Sequence, residues 1–189
     1  MRKRSRTVAL TIVGATAFAL AGCREEQVEA QAFADLASCR AAADQGGALI
    51  GADCDAAFAE AQQLHVESAP RYDSLQVCEE QHGPGACGNE QAVAQGGSSS
   101  IFMPLLTGYL IGNMLSGRGG MAASQPLYRT ADGKFATPSG GTKLSGNNGA
   151  TKLNASSFSK PPATVGKPPM TKATVKSRGG FGSSRSFGR

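Results

Sequence analysis

Five cysteines and two histidines carry most of the side-chain chemistry open to this 189-residue chain. Cys39, Cys54, Cys78 and Cys87 are spread through its first half, with His65 and His82 among them. A zinc site usually shows close C-x2–4-C pairs. No such pair is present, and the histidines would join a ligand set only through an accident of tertiary folding. No metal and no cofactor is therefore expected. Neither histidine stands beside a Ser–His–Asp ordering, a phosphate loop or a paired-carboxylate motif. His65 falls on one face of an Ala-rich segment. His82 falls at a predicted helix end, where a cation suits the negative end of the dipole. No catalytic residue is assigned.

The fifth cysteine has a different setting. Arg2, Lys3, Arg4 and Arg6 form a positive head, and Thr7 to Leu20 is an uncharged, mostly apolar run of 14 residues. A spanning helix needs roughly 20 apolar residues, whereas an export signal has this shorter layout. The run closes in Leu20-Ala21-Gly22-Cys23, which resembles the lipobox of bacterial lipoproteins. The resemblance implies a diacylglycerol on the Cys23 sulfur and cleavage just before it, so that residues 1–22 are a removed signal. Position 24 is Arg, where Asp would favour retention at the inner membrane. The expected location is the periplasmic face of the outer membrane, held by lipid. In that oxidising setting the remaining four cysteines read as two disulfides, with three connectivities open to them. Cys39–Cys54 with Cys78–Cys87 is favoured, because each closes a short loop across a helix boundary.

Charge divides the chain. Residues 24–97 hold 13 acidic side chains against Arg24, Arg40 and Arg71, and residues 120–189 hold 11 basic side chains against Asp132 alone. Such asymmetry predicts an interaction tail. Few large apolar residues lie beyond position 116, and backbone ordering costs roughly 1–2 kcal/mol per residue. Residues 117–189 are therefore expected to be a disordered basic tail. Pro161-Pro162 and Pro168-Pro169 favour extended backbone, and the closing Arg178-Gly179-Gly180-Phe181 stretch has an RGG-like look. Behind an export signal, its expected partner is an anionic envelope component or an acidic protein, and not nucleic acid. A coil of that length would also reach back to the acidic half.

The elements that must position these residues read as mainly α. Glu25 to Ala43 suits one helix. Asp53 and Asp55 open a second, with Cys54, Ala57, Phe58, Ala61 and His65 on one face, and Ala69-Pro70 ends it. Asp73-Ser74-Leu75-Gln76 resembles a capping box opening a third, which stops at Gly83-Pro84-Gly85. Residues 23–90 are thus expected to form a small acidic helical domain stapled by disulfides, followed by a linker at 91–100. Residues 101–116 read as a short apolar helix. Gly108, Gly112, Ser116 and Gly120 recur every four residues, a small-residue edge for helix packing, self-association or membrane contact.

The order of these features resembles the uncharacterised YgiB-type family of bacterial envelope proteins, whose function is unknown. The resemblance rests on Ala52-Asp53-Cys54, Ala69-Pro70-Arg71-Tyr72, and Cys78-Glu79-Glu80 leading to Gly83-Pro84-Gly85-Ala86-Cys87. It continues through Phe102-Met103-Pro104-Leu105, Gly108-Tyr109 and Gln125-Pro126-Leu127-Tyr128. It implies an envelope location and carries over no catalytic residue. The leading expectation is a non-enzymatic outer-membrane lipoprotein that acts as a tether or interaction protein through its basic tail. The alternatives are an accessory subunit of a membrane assembly that uses the Gly-rich helix, and an envelope enzyme.

Overall fold

The computed structural model describes residues 26–46, 51–90, 101–112 and 124–181. Residues 1–22, Cys23, the linker 91–100, and Ser116 and Gly120 lie outside the described residues.

Gln27-Val28-Glu29-Ala30-Gln31-Ala32 alternates polar and apolar side chains, the period of a strand. The chain follows that period and not the helix expected from Ala, Glu and Gln content. Strand β1 spans Gln27–Phe33 and buries Val28, Ala30, Ala32 and Phe33. Helix begins only at α1, Leu36–Asp44, behind a capping box: the Asp35 carboxylate accepts from the Ser38 N–H at 2.7 Å, and the Ser38 hydroxyl lies 3.3 Å from the Asp35 N–H. Helix α2, Gly51–Ser68, buries Cys54, Ala57, Ala61 and His65 on its inner face as predicted. Helix α3, Leu75–His82, is capped by Ser74 and stops at Gly83. The disulfides are Cys39–Cys54, joining α1 to α2, and Cys78–Cys87, joining α3 to the strand that follows it.

The mainly helical class is overturned: β1 already replaces the start of the first predicted helix, and it belongs to a six-stranded sheet completed by the chain beyond α3. Strands β2 (Cys87–Asn89) and β3 (Phe102–Pro104) form a two-stranded ribbon. Strand β4 is Gly108–Gly112, so the predicted helix over 101–116 is, where described, two strands joined by an irregular segment at 105–107. All five residues of β4 are buried, because both of its faces are covered. Tyr109 and Ile111 pack with Phe33, Cys39, Cys54, Ala57 and Ala61 beneath the helices. Leu110 packs on the other side with Val28, Ala30, Ala32, Leu127 and Phe158. A strand buried on both faces is a continuous apolar run, and periodicity does not separate such a run from a buried helix. Gly108 and Gly112 therefore line no helix edge. Gly108 has φ +154°, and a Cβ there would stand 2.8 Å from the carbonyl oxygen of Phe33 on the neighbouring strand. Gly112 pairs with Ala30 in the ladder.

The tail is also folded where it is described. It contributes β5 (Ser124–Arg129), β6 (Phe135–Ala136), β7 (Lys143–Leu144), β8 (Gly149–Asn154), a 3-10 turn (Ala155–Phe158) and helix α4 (Lys172–Arg178). The six-stranded sheet runs β7-β6-β5-β4-β1-β8 and is antiparallel throughout. Leu144 and Leu153, from opposite edge strands, pack against the same apolar cluster, so the sheet curls on itself. The composition argument fails because the tail builds no core of its own. It adds strands to the first half and places a few apolar side chains in shared clusters.

The two oppositely charged halves consequently lie against each other. Six residue pairs join β1 to β8, from Gln27↔Asn154 to Ala32↔Gly149. Lys152–Glu29 (3.0 Å), Lys160–Glu67 (3.2 Å) and Lys172–Glu80 (2.7 Å) link them at the surface. Exposed pairs of this kind contribute about 0–1 kcal/mol each, so the ladder and the buried clusters hold the halves together. Among the described residues no helix is long and apolar enough to cross a membrane.

Candidate functional site

Helix α2 ends at Ser68 with carbonyls that have no partner inside the helix. Arg71 meets them. Its Nη2 donates to the Val66 carbonyl at 2.7 Å and its Nη1 to the Ala69 carbonyl at 3.3 Å. Its Nε donates to Glu90 Oε1 at 2.8 Å, a buried ion pair. Nη1 also donates to the Thr164 hydroxyl, which in turn donates to Ala69 O at 2.6 Å. The Thr164 N–H donates to Glu67 O at 2.9 Å. Arg71 thereby fastens the proline-rich stretch 161–169 over the end of α2, and each of its three guanidinium nitrogens is engaged.

The histidines lie behind this stretch, in the core. His82 is fully buried. Its Nδ1 is 2.7 Å from the Arg129 carbonyl oxygen, which only accepts, so Nδ1 carries the proton. Nε2 then accepts from the Tyr72 hydroxyl at 2.8 Å. Burial lowers the His82 pKa to about 4, partly opposed by the bond to Arg129. His65 Nδ1 lies 3.0 Å from the Tyr128 hydroxyl, and burial, assisted by the Arg71 charge, lowers its pKa to about 4. Burial also raises the phenols of Tyr72 and Tyr128 well above their ordinary value. The cation expected at the end of α3 is thus a neutral imidazole, because burial removes the water that would solvate its charge. Phe181 closes over it with ring centroids 4.4 Å apart, held by its N–H to Gln81 Oε1 at 2.9 Å.

In front of this cluster lies a groove of about 700 Å3. Pro70, Pro138, Pro161, Pro162, Pro168 and Pro169 form much of its walls, and Tyr72, Met170, Val175 and Phe181 add apolar surface. Among the described residues, Lys167 and Arg178 are its unspent cations and no Asp or Glu lines it. The local chain explains the shape. Met170 bridges back to Tyr72, its N–H donating to Arg71 O at 2.7 Å and its carbonyl accepting from Asp73 N–H at 3.1 Å. Thr171 caps α4 by accepting from the Thr174 N–H, and Gly179 ends it in the left-handed conformation, φ +84°. That turn places Arg178 and Phe181 at the groove. The arrangement can bind an amphipathic anion. Among the described residues that line it, no serine or threonine hydroxyl is hydrogen-bonded to a base.

The sequence placed the cystines correctly and left the groove unseen. Its one legible signal was the pair of Pro-Pro steps, which were read as extended backbone within a disordered tail.

Residues 27–188 match the model of a family described as "Protein of unknown function (DUF1190)". The chain belongs to this family. A UPF0441 protein of Klebsiella pneumoniae is 32% identical over 180 residues, covering 88% of this chain and 76% of that relative. A UPF0441 protein of Yersinia pestis is 31% identical over 203 residues, covering 96% of this chain and 81% of the relative. One from Yersinia pseudotuberculosis matches equally. No solved structure matches. The expected relationship, to an uncharacterised bacterial family of unknown function, therefore holds, and the family places both histidines and the whole groove inside its matched region.

Proposed function

We propose that this protein is a non-enzymatic lipoprotein of the bacterial outer membrane, held by Cys23, that binds an envelope partner through its basic half. The groove carries this reading: it joins apolar walls to Lys167 and Arg178, and no carboxylate lines it among the described residues. Two buried, neutral histidines support binding over catalysis, since a general acid–base group must reach its proton within hydrogen-bond distance. The accessory-subunit alternative loses its element, because Gly108 and Gly112 sit in a buried strand. Interaction through the basic half does not need a disordered tail, since the folded segment already gathers cations at one groove.

Metabolic labelling with an alkyne fatty acid tests the anchor. The wild type should be marked and Cys23→Ser should remain an unmarked precursor. Equal labelling of the two would remove the lipoprotein reading. Photo-cross-linking in cells from Val165, which is 53% exposed beside the groove-lining Thr164, should capture one envelope partner, and capture should be lost when Lys167 and Arg178 are both changed to Glu.

A further inference from the structure

Resting on that binding role, the groove also narrows the chemistry of the partner. Proline walls offer no N–H, so a small inorganic anion finds no cradle of backbone donors there. They do offer flat apolar rings, continued by Met170 and Phe181. Lys167 and Arg178 have no carboxylate partner among the described residues; Arg178 Nη1 donates to the Met170 sulfur at 3.6 Å. A guanidinium with a free edge takes a carboxylate through two N–H bonds. The volume, about 700 Å3, lies within the ~300–1,000 Å3 of ordinary ligand pockets.

Position separates a protein partner from the anchoring bilayer. Only residues 24–26 stand between Cys23 and β1, so an anchored chain starts its sheet within ~14 Å of the lipid. The register puts Phe33 beside Tyr109 and Tyr109 beside Pro126, and Gly108 beside Leu127. Tyr128, against which Phe181 packs, is therefore about eight strand positions beyond Gln27, or ~26 Å along the strands. The Phe181 end of the groove stands away from the anchored end of the sheet.

We propose that the groove takes a short extended segment of a second envelope protein, acidic and carrying an apolar side chain. Its carboxylates meet Lys167 and Arg178, and its apolar side chain rests on the proline, Met170 and Phe181 surface.

The test uses the mature protein as purified, in phosphatidylcholine nanodiscs if lipidated and free in buffer if not, so that failure of the lipid anchor leaves this experiment intact. It is applied to an array of hexapeptides that each carry two Glu and at least one Phe or Leu. Copies in which Lys replaces Glu, or Ser replaces the apolar residue, serve as comparisons. Binders are measured by fluorescence anisotropy. The acidic, apolar peptides should bind at least tenfold tighter than either copy, and their affinity should fall as salt is raised. Lys167→Glu with Arg178→Glu should weaken binding at least tenfold while the thermal midpoint stays within a few degrees, because both side chains are outside the core. Three results overturn the proposal: no member exceeds its copies, the double reversal binds like the wild type, or phosphatidylglycerol vesicles displace the peptides at matching concentration. A chain ending at Phe181 that binds more than tenfold tighter would make residues 182–189 the resident occupant and would equally overturn it.

Discussion

Acid should destabilise this protein in a window set by its two histidines. His65 and His82 are 5% and 0% exposed, and burial lowers both pKa values from 6.5 to about 4. Between those values the unfolded chain binds protons that the folded chain refuses. Stability contributed by the neutral rings is complete above pH 6.5 and falls as pH drops toward 4. A shift of that size makes each histidine lose about 2 kcal/mol between pH 7 and pH 5, about 4 kcal/mol for the pair. The carboxylates with lowered pKa values act at lower pH. Glu80 is held down first by its hydrogen bond from Lys172, and Asp132 first by the Thr130 hydroxyl. Urea unfolding at pH 7, 6 and 5 with disulfides intact reads the effect directly. With a slope of about 2 kcal/mol per molar urea, the midpoint should fall by about 2 M. His65→Gln, which does not titrate, should show about half that fall. A midpoint that is level from pH 7 to pH 5 would refute the assignment of two neutral buried imidazoles.

Gly108→Ala should destabilise by about 1–3 kcal/mol, the usual range for an overpacked site, because its Cβ would meet the Phe33 carbonyl oxygen at 2.8 Å; thermal unfolding measures it, and an unchanged midpoint would contradict the strand pairing. Replacing Cys78 and Cys87 together with Ala should lower stability by about 2–3 kcal/mol, the chain-entropy value for their nine-residue separation. Non-reducing peptide mapping of the native protein should recover Cys39–Cys54 and Cys78–Cys87, and crossed pairs would refute the connectivity.

What the sequence determined by itself was local. Ser74 and Gly83 bound α3 within a few residues. The 3–4 spacing of Cys54, Ala57, Phe58, Ala61 and His65 marked the face of α2, and Ala69-Pro70 closed it. Each disulfide joins cysteines separated by 15 or 9 positions, so loop length alone favoured the observed pairing. Such signals act over short stretches and need no partner from elsewhere. Tertiary structure decided the rest. The polar alternation of Gln27–Phe33 becomes a strand because Gly149–Asn154 and Gly108–Gly112 flank it. The basic half folds although it is poor in apolar residues, because Leu127, Leu144, Leu153 and Phe158 complete a cluster begun by Val28, Ala30 and Ala32. The charge state of His82 depends on Tyr72, on the carbonyl of Arg129 and on Phe181, which meet only when α3, β5 and the residues after α4 are assembled. The groove has the same origin: its prolines line one cavity because Arg71, fixed at the end of α2, reaches Thr164. Burial and strand pairing are properties of segments distant in sequence, and no local pattern encodes which distant segment will arrive.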